Sequence, residues 1–199
     1  MRLIMIAAAI GATAATSANA ETYGKLFGGA SLGSDHDIVG VVPGVATGAG
    51  ELDTDIGYVV GGAYGVNLSK FIAVEGEVAY RSNNVDGGVI NGVAFDGGGD
   101  INALSFMGNA ILKAPGVSGF TPYAGLGAGT ARVGGEGDHD FVFAYQAFGG
   151  VSKDVSERMS AGIEYRYLDA NRATLTDGFG ALSTEYDSHS LNLVLSRKF

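Results

Sequence analysis

Apolar and polar residues alternate with a period of two along most of the chain after Glu21. The alternation occurs in segments of about ten to fifteen residues, separated by stretches rich in Gly, Asp and Asn. Because successive side chains of a strand point to opposite faces, this pattern predicts strands with one apolar and one polar face. Eight such segments are present, at 22–33, 54–67, 71–82, 100–113, 121–133, 141–153, 158–170 and 185–199.

The last segment shows the two faces most clearly. Its apolar face carries Leu191, Leu193, Leu195 and Phe199, and its polar face carries Ser190, Asn192, Ser196 and Lys198. No run of eighteen apolar residues follows Glu21, whereas about ten residues is the length with which a tilted strand crosses a bilayer. The pattern therefore predicts an all-β fold, an eight-stranded antiparallel up-and-down transmembrane β-barrel.

Charged residues decide which face we expect to lie inside. The polar faces hold Glu75, Glu77, Arg81, Glu164 and Arg166, and we expect Lys25 and Arg132 to be their partners. The interior of an eight-stranded barrel is just wide enough to be filled by side chains, and charges buried there must be paired. We therefore predict a lumen charge network of these seven residues. The alternative is a soluble sheet whose charged face is solvated.

The connections between segments also favour a membrane barrel. Those after the second, fourth and sixth segments are short, at 68–70, 114–120 and 154–157. The others are mostly long, at 34–53, 83–99, 134–140 and 171–184. Short periplasmic turns and long outer loops are typical of transmembrane barrels, and an even strand number places both termini at the periplasmic end.

Aromatic residues cluster near the ends of the predicted strands, where membrane barrels carry two aromatic girdles. We assign to these girdles Tyr58, Tyr64, Phe71, Tyr80, Tyr123, Phe141, Phe143, Tyr165, Tyr167 and Phe199.

The first twenty residues are typical of a secretory signal peptide. Met1-Arg2 forms a short positive region, Leu3 to Ala15 is almost entirely apolar, and Ala18-Asn19-Ala20 is a cleavage site of small residues. We predict a signal peptide at 1–20 and one outer-membrane β-barrel domain at 21–199. The chain has no cysteine, so neither disulfides nor thiolate–metal sites contribute to its stability.

The chain is acidic, with a formal net charge of −9, which argues against nucleic acid as a partner. Most of this charge is near the four long connections, since 15 of the 21 acidic residues lie in or beside them. These are Asp35, Asp37, Glu51, Asp53, Asp55, Asp86, Asp96, Asp100, Glu136, Asp138, Asp140, Asp169, Asp177, Glu185 and Asp187. The simplest interpretation is a solvated rim of acidic side chains that repel one another.

Several segments resemble the small outer-membrane β-barrel family of Gram-negative bacteria, in its OmpA/OmpX-like and porin-like surface antigen group. They are Tyr23-Gly24-Lys25-Leu26-Phe27-Gly28-Gly29-Ala30, Asn109-Ala110-Ile111-Leu112, Thr121-Pro122-Tyr123-Ala124-Gly125-Leu126-Gly127-Ala128-Gly129, Glu164-Tyr165-Arg166-Tyr167 and the last strand. The resemblance implies location in the cell outer membrane, and it implies that Phe199 is the signal read by the barrel-assembly machinery. The partners it implies are outer-membrane lipid and lipopolysaccharide, that machinery, and periplasmic chaperones. We expect a monomer.

Two motifs could carry chemistry. The tripeptide Asp-His-Asp occurs at 35–37 and 138–140, but neither copy has the spacing of a calcium loop and two loops would have to converge. Barrel enzymes such as lipid A deacylases need a serine activated by a histidine. In Asp187-Ser188-His189-Ser190 the histidine and the serines point to opposite faces. We predict no metal, no cofactor and no enzymatic activity.

Three functions stay open. The first is a structural or surface-interaction protein with a plugged lumen, whose acidic loops meet a host or environmental ligand. The second is a narrow porin-like channel for small solutes, lined by the same Glu and Arg residues. Eight strands disfavour an open aqueous pore, which belongs to barrels of about sixteen strands. The third is a lipid-modifying outer-membrane enzyme.

Overall fold

The computed structural model describes residues 21–33, 36–41, 48–54, 56–90, 93–95, 99–134, 139–177 and 180–199, and these residues form eleven strands. The strands are β1 (Glu21–Gly33), β2 (His36–Val41), β3 (Gly48–Thr54), β4 (Ile56–Asn67), β5 (Ile72–Ile90), β6 (Val93–Phe95), β7 (Gly99–Lys113), β8 (Phe120–Gly134), β9 (His139–Asp154), β10 (Met159–Asp177) and β11 (Gly180–Lys198). No helix in this part of the chain is long and apolar enough to cross a membrane.

Eight of these strands close into the predicted antiparallel barrel. Strand β1 pairs with β4 on one side and with β11 on the other, and the circuit runs β1, β4, β5, β7, β8, β9, β10, β11. We traced the paired residues from strand to strand around this circuit, starting at Tyr23. The trace returns to β1 at Gly33, so the strands are staggered by ten residues around the barrel. With eight strands, this stagger corresponds to a strand tilt of about 40°.

The short connections form tight turns at the end where both termini lie. At the β4–β5 turn, the Ser69 hydroxyl accepts hydrogen bonds from the backbone of Phe71 and Ile72. The β7–β8 turn uses positive φ angles at Ser118 (54°) and Gly119 (82°). Next to these turns the Phe199 amide donates to Thr22 O at 3.0 Å, which joins the two ends of the barrel domain.

At the opposite end the strands continue further than the sequence pattern predicts. Strand β5 extends to Ile90, and β10 and β11 stay paired as far as Asp177 and Gly180. Strands β2 and β3 lie in the region predicted as the first long loop, where β2 pairs with β11 and β3 with β5. Backbone pairing there continues after the alternation of apolar and polar residues has ended.

Side-chain orientation on the last strand follows the predicted alternation. On β11, Leu191, Leu193 and Leu195 are exposed on the outer surface, whereas Ser190 and Asn192 are buried in the lumen. Outward apolar residues of other strands, such as Leu26, Leu126 and Ile163, form a band around the barrel. A lipid bilayer is the solvent that such a surface requires.

The lumen near the long connections is apolar on one wall. Eight buried residues of β7 to β10 form what we call the loop-side cluster: Ala103, Met107, Ala131, Val133, Val142, Ala144, Leu168 and Ala170. Inward positions on this wall are therefore mainly apolar, although the buried Ser105 lies between Ala103 and Met107 on β7.

Candidate functional site

The centre of the lumen is occupied by the Arg166 guanidinium, which projects inward from β10 and is fully buried. Its Nη1 donates to Glu77 Oε1 in an ion pair, and its Nη2 donates to Glu164 Oε1 at 2.6 Å. The rings of Phe27 and Phe148 lie 4.4 and 4.7 Å from the guanidinium carbon. Stacking on aromatic rings and forked donation to carboxylates are the two contacts for which the planar guanidinium is best suited.

The pair of Arg166 and Glu77 spans the barrel. Strands β10 and β5 are four strands apart in either direction around the eight-stranded circuit, so this contact joins opposite walls. Both side chains have 0% exposure. The interior of the barrel is filled at this level by side chains, as expected for eight strands.

A second cation, Lys25 of β1, lies on the terminus side of Arg166. Its Nζ is 2.7 Å from Glu75 Oε2 and 3.8 Å from Glu164 Oε2. Two tyrosine hydroxyls also donate hydrogen bonds to these carboxylates. Tyr23 donates to Glu75 at 2.7 Å, and Tyr123 donates to Glu164 at 3.0 Å.

Glu77 receives two further hydrogen bonds from neutral side chains. Asn109 Nδ2 donates to Glu77 Oε2 at 2.9 Å, and Gln146 Nε2 donates to Oε1 at 3.2 Å. Each of the three glutamates therefore has at least one cation and one neutral donor. A buried ion pair contributes to stability only when additional hydrogen bonds of this kind satisfy the remaining lone pairs. We call Lys25, Glu75, Glu77, Glu164 and Arg166 the charge layer.

Arg81 lies beside this layer on the loop side, also fully buried. Its Nη1 donates to Ser105 Oγ at 3.0 Å, and its charge acts on Glu77. Further along β5, Asn83 accepts a hydrogen bond of 3.3 Å from Ser31 of β1, and Ser31 also shares a hydrogen bond of 2.8 Å with Ser188 of β11.

The prediction for Arg132 is wrong. Its neighbours Ala131 and Val133 are buried, whereas Arg132 lies between them on the outer face of β8 and is partly exposed. Because side chains alternate strictly along a strand, Arg132 has the same orientation as Leu126 and cannot join the lumen network. The assignment of Tyr123 to an aromatic girdle is wrong for the same reason, since Tyr123 points inward to Glu164.

Several residues of the lumen were not singled out by the sequence analysis: Tyr23, Phe27, Gln146 and Phe148. Their position in the alternation could have identified them, because Tyr23 and Phe27 lie two residues from Lys25 on the same face. Phe27 and Phe148 were missed because they are apolar rings, which a search for polar inward residues does not select, and both pack against Arg166.

Glycines provide the room for these rings. A Cβ atom added at Gly125 would meet the Phe148 ring, and one added at Gly61 would meet the Phe27 ring. This agrees with the expectation that a glycine within a strand marks close approach of a neighbouring group.

Phe199 is exposed at the terminus end of the barrel. Ser188 and Ser190 are buried in the lumen, whereas His189 lies on the outer face, where its Nδ1 is 2.6 Å from the Tyr165 hydroxyl. The side chains of both Asp-His-Asp segments, and residues 1–20, lie outside the described residues. Among the residues that are described, no three His, Asp or Glu side chains come together as a metal-binding group.

Solved structures with the same fold are outer-membrane barrels. Neisserial surface protein A is 16% identical, with a TM-score of 0.59 over 91% of this chain and 99% of that protein. OprG from Pseudomonas aeruginosa is 17% identical, with a TM-score of 0.64 over 89% of this chain and 95% of that protein. The sequence has no match among curated proteins.

The family model described as outer membrane protein beta-barrel domain matches residues 4–199. The outer membrane protease OmpT of Escherichia coli is also a structural neighbour, at 10% identity and a TM-score of 0.48 over 90% of this chain and 97% of that protein. With a closed eight-stranded barrel, a lipid-compatible outer surface and a charged, filled lumen, the chain belongs to the outer-membrane β-barrel family and is located in the bacterial outer membrane.

Proposed function

We propose that this protein is a non-conducting outer-membrane barrel with a structural or surface-interaction role. One observation carries the proposal, namely the contact of Arg166 with Glu77 from opposite walls of the lumen, with both side chains fully buried. The Phe27 and Phe148 rings flank this contact and leave the guanidinium without exposure to water.

The energetics of the charge layer support a permanent plug. To open a water path, Arg166 would have to separate from two carboxylates, Glu77 and Glu164, within a narrow, ring-lined space. The loss of one partner from a buried ion pair costs about 3–5 kcal/mol, which is a large fraction of the stability of a domain. A gate that opens readily would need weaker or more hydrated contacts.

The surface role is supported by the distribution of charge along the chain. The acidic residues concentrate in and beside the four long connections, at the end of the barrel away from the termini. An acidic rim of this kind would meet lipopolysaccharide through bridging cations, or a basic host or environmental ligand, by electrostatic complementarity.

The absence of enzymatic activity is part of the proposal. In the one segment that joins serine to histidine, His189 faces lipid while Ser188 and Ser190 face the lumen, on opposite sides of β11. A nucleophile and its base must lie within hydrogen-bond reach of each other.

The test is single-channel conductance of the refolded protein in a planar bilayer, with an unheated gel to show that the barrel is folded. We expect no current from the unaltered protein. A variant with Glu77→Ser, Glu164→Ser and Arg166→Ser, in which the central side chains are short, should conduct and shows that the assay can detect this barrel. Steady, cation-favouring current from the unaltered protein would overturn the proposal in favour of a narrow porin-like channel.

A further inference from the structure

A cavity of about 80 Å³ opens in the lumen on the terminus side of the charge layer. By the same measure, about 10–15 Å³ holds one water molecule, so this cavity has room for a small polyatomic ion. Four charged residues line it: Lys25, Glu75, Lys113 and Lys198. This is a positively charged site in a protein whose net charge is −9.

The charges of the cavity are unevenly partnered. Lys25 and Glu75 neutralise each other across 2.7 Å at its inner end. Lys113 and Lys198 lie at the ends of β7 and β11, and their charges oppose each other. The Lys113 Nζ also lies over the Tyr23 ring, 4.9 Å from its centroid. Lys113 donates to the neutral Asn67 Oδ1 at 2.6 Å and is attracted at longer range by Glu75 and Glu21.

The wall also carries hydroxyl groups, which can donate as well as accept hydrogen bonds. Ser160 and Ser196 contribute hydroxyls from β10 and β11, and Ser152 contributes one from β9 that donates to Thr121 O at 3.4 Å. The Glu75 carboxylate is already held by Lys25 and the Tyr23 phenol. A ligand entering the cavity therefore meets two ammonium groups and several hydroxyls, which together favour an anion with several acceptor oxygens.

We propose that this cavity binds a phosphate group at the periplasmic end of the barrel, held chiefly by Lys113 and Lys198. A phosphate between the two ammonium groups would relieve their mutual repulsion and accept hydrogen bonds from the serine hydroxyls. The site is separated from the outer loops by the charge layer, so its occupancy does not depend on whether the barrel conducts.

The test is calorimetric titration of the full barrel, refolded in zwitterionic micelles, with inorganic phosphate at constant ionic strength maintained with chloride. We expect saturable binding that Lys113→Gln and Lys198→Gln each weaken at least tenfold. The matched control is Lys70→Gln, which removes the same charge from the exposed β4–β5 turn and should leave the affinity within twofold. If Lys113→Gln fails to fold, Lys198→Gln alone decides, because it is the last residue of β11 and only partly buried.

Absence of saturable binding to the unaltered protein would overturn the proposal. So would an equal loss in all three variants, because that result indicates attraction to net charge rather than a site. Phosphatidylglycerol added to the micelles distinguishes the source of the phosphate group. If phosphatidylglycerol weakens the binding of inorganic phosphate, the ligand is a lipid headgroup. If the affinity for inorganic phosphate is unchanged, the ligand is a free periplasmic anion.

Discussion

The charge layer and the loop-side cluster are neighbouring parts of one lumen, and they are stabilised in different ways. On β10 the inward positions run from Glu164 and Arg166 to Leu168 and Ala170, so the chemistry of one strand face changes within a few residues. The layer depends on the matching of three carboxylates to their donors. The cluster depends on close packing of apolar side chains. Inward orientation in this barrel is therefore set by the alternation of side chains along the strand and not by polarity.

This difference determines how each region responds to substitution. Removing one partner from the layer leaves another charge buried without its counterpart, which is costly in a medium of low dielectric constant. Removing atoms from the cluster leaves a void whose cost depends on how far the neighbours can relax.

The largest effect is expected for Glu164→Gln. The change removes the negative charge that holds Arg166 Nη2 at 2.6 Å and lies 3.8 Å from Lys25. We expect a loss of about 3–5 kcal/mol in the free energy of unfolding. The measurement is urea unfolding of the barrel in lipid vesicles, followed by the unheated gel band of the folded form.

The control for this change is Glu157→Gln in the exposed β9–β10 turn, which should leave stability within about 0.5 kcal/mol. A neutral result for Glu164→Gln would mean that the charge layer does not contribute to stability as its contacts indicate.

In the loop-side cluster, Leu168→Ala should cost about 2–5 kcal/mol in the same assay, because Leu168 is fully buried among apolar neighbours. Leu168→Met, which preserves volume, should cost less than about 1.5 kcal/mol. If the two regions are independent, the losses in the double variant with Glu164→Gln should add to within about 0.5 kcal/mol. A larger deviation would show that the layer and the cluster form one cooperative unit.

Much of this architecture follows from the sequence because a closed barrel imposes strict alternation. The eight strands, the short turns and the inward placement of Glu77 or Arg166 can all be inferred from a period of two and from the cost of unpaired buried charge. The partners could not be inferred, since the contact of Arg166 with Glu77 depends on the stagger of the barrel. The extension of β5 to Ile90 was not predicted either, because pairing continues there without a two-faced pattern.

A smaller effect is expected where packing around the charge layer is disturbed indirectly. In Gly125→Ala the added methyl group collides with the Phe148 ring, which stacks on Arg166. Overpacking of this kind costs about 1–3 kcal/mol. The control is Gly76→Ala, also within a strand, where an added Cβ has nothing within 4 Å. We expect no loss of stability from that change, and equal losses at both positions would indicate a backbone effect instead of a clash.

The smallest effect is expected for Arg132→Gln, although the sequence pattern groups Arg132 with the buried charges. Because Arg132 is partly exposed on the outer face of β8, its replacement by a polar residue should change the free energy of unfolding by no more than about 0.5 kcal/mol. Arg81→Gln removes the same charge from a fully buried position and should cost clearly more, since Arg81 donates to Ser105 and its charge acts on Glu77. The pair tests orientation, because both residues are arginines within barrel strands and differ in whether they face the lumen or the outer surface. If Arg132→Gln were as costly as Arg81→Gln, the β8 side chains would have to alternate in the opposite sense, with Ala131 and Val133 facing lipid.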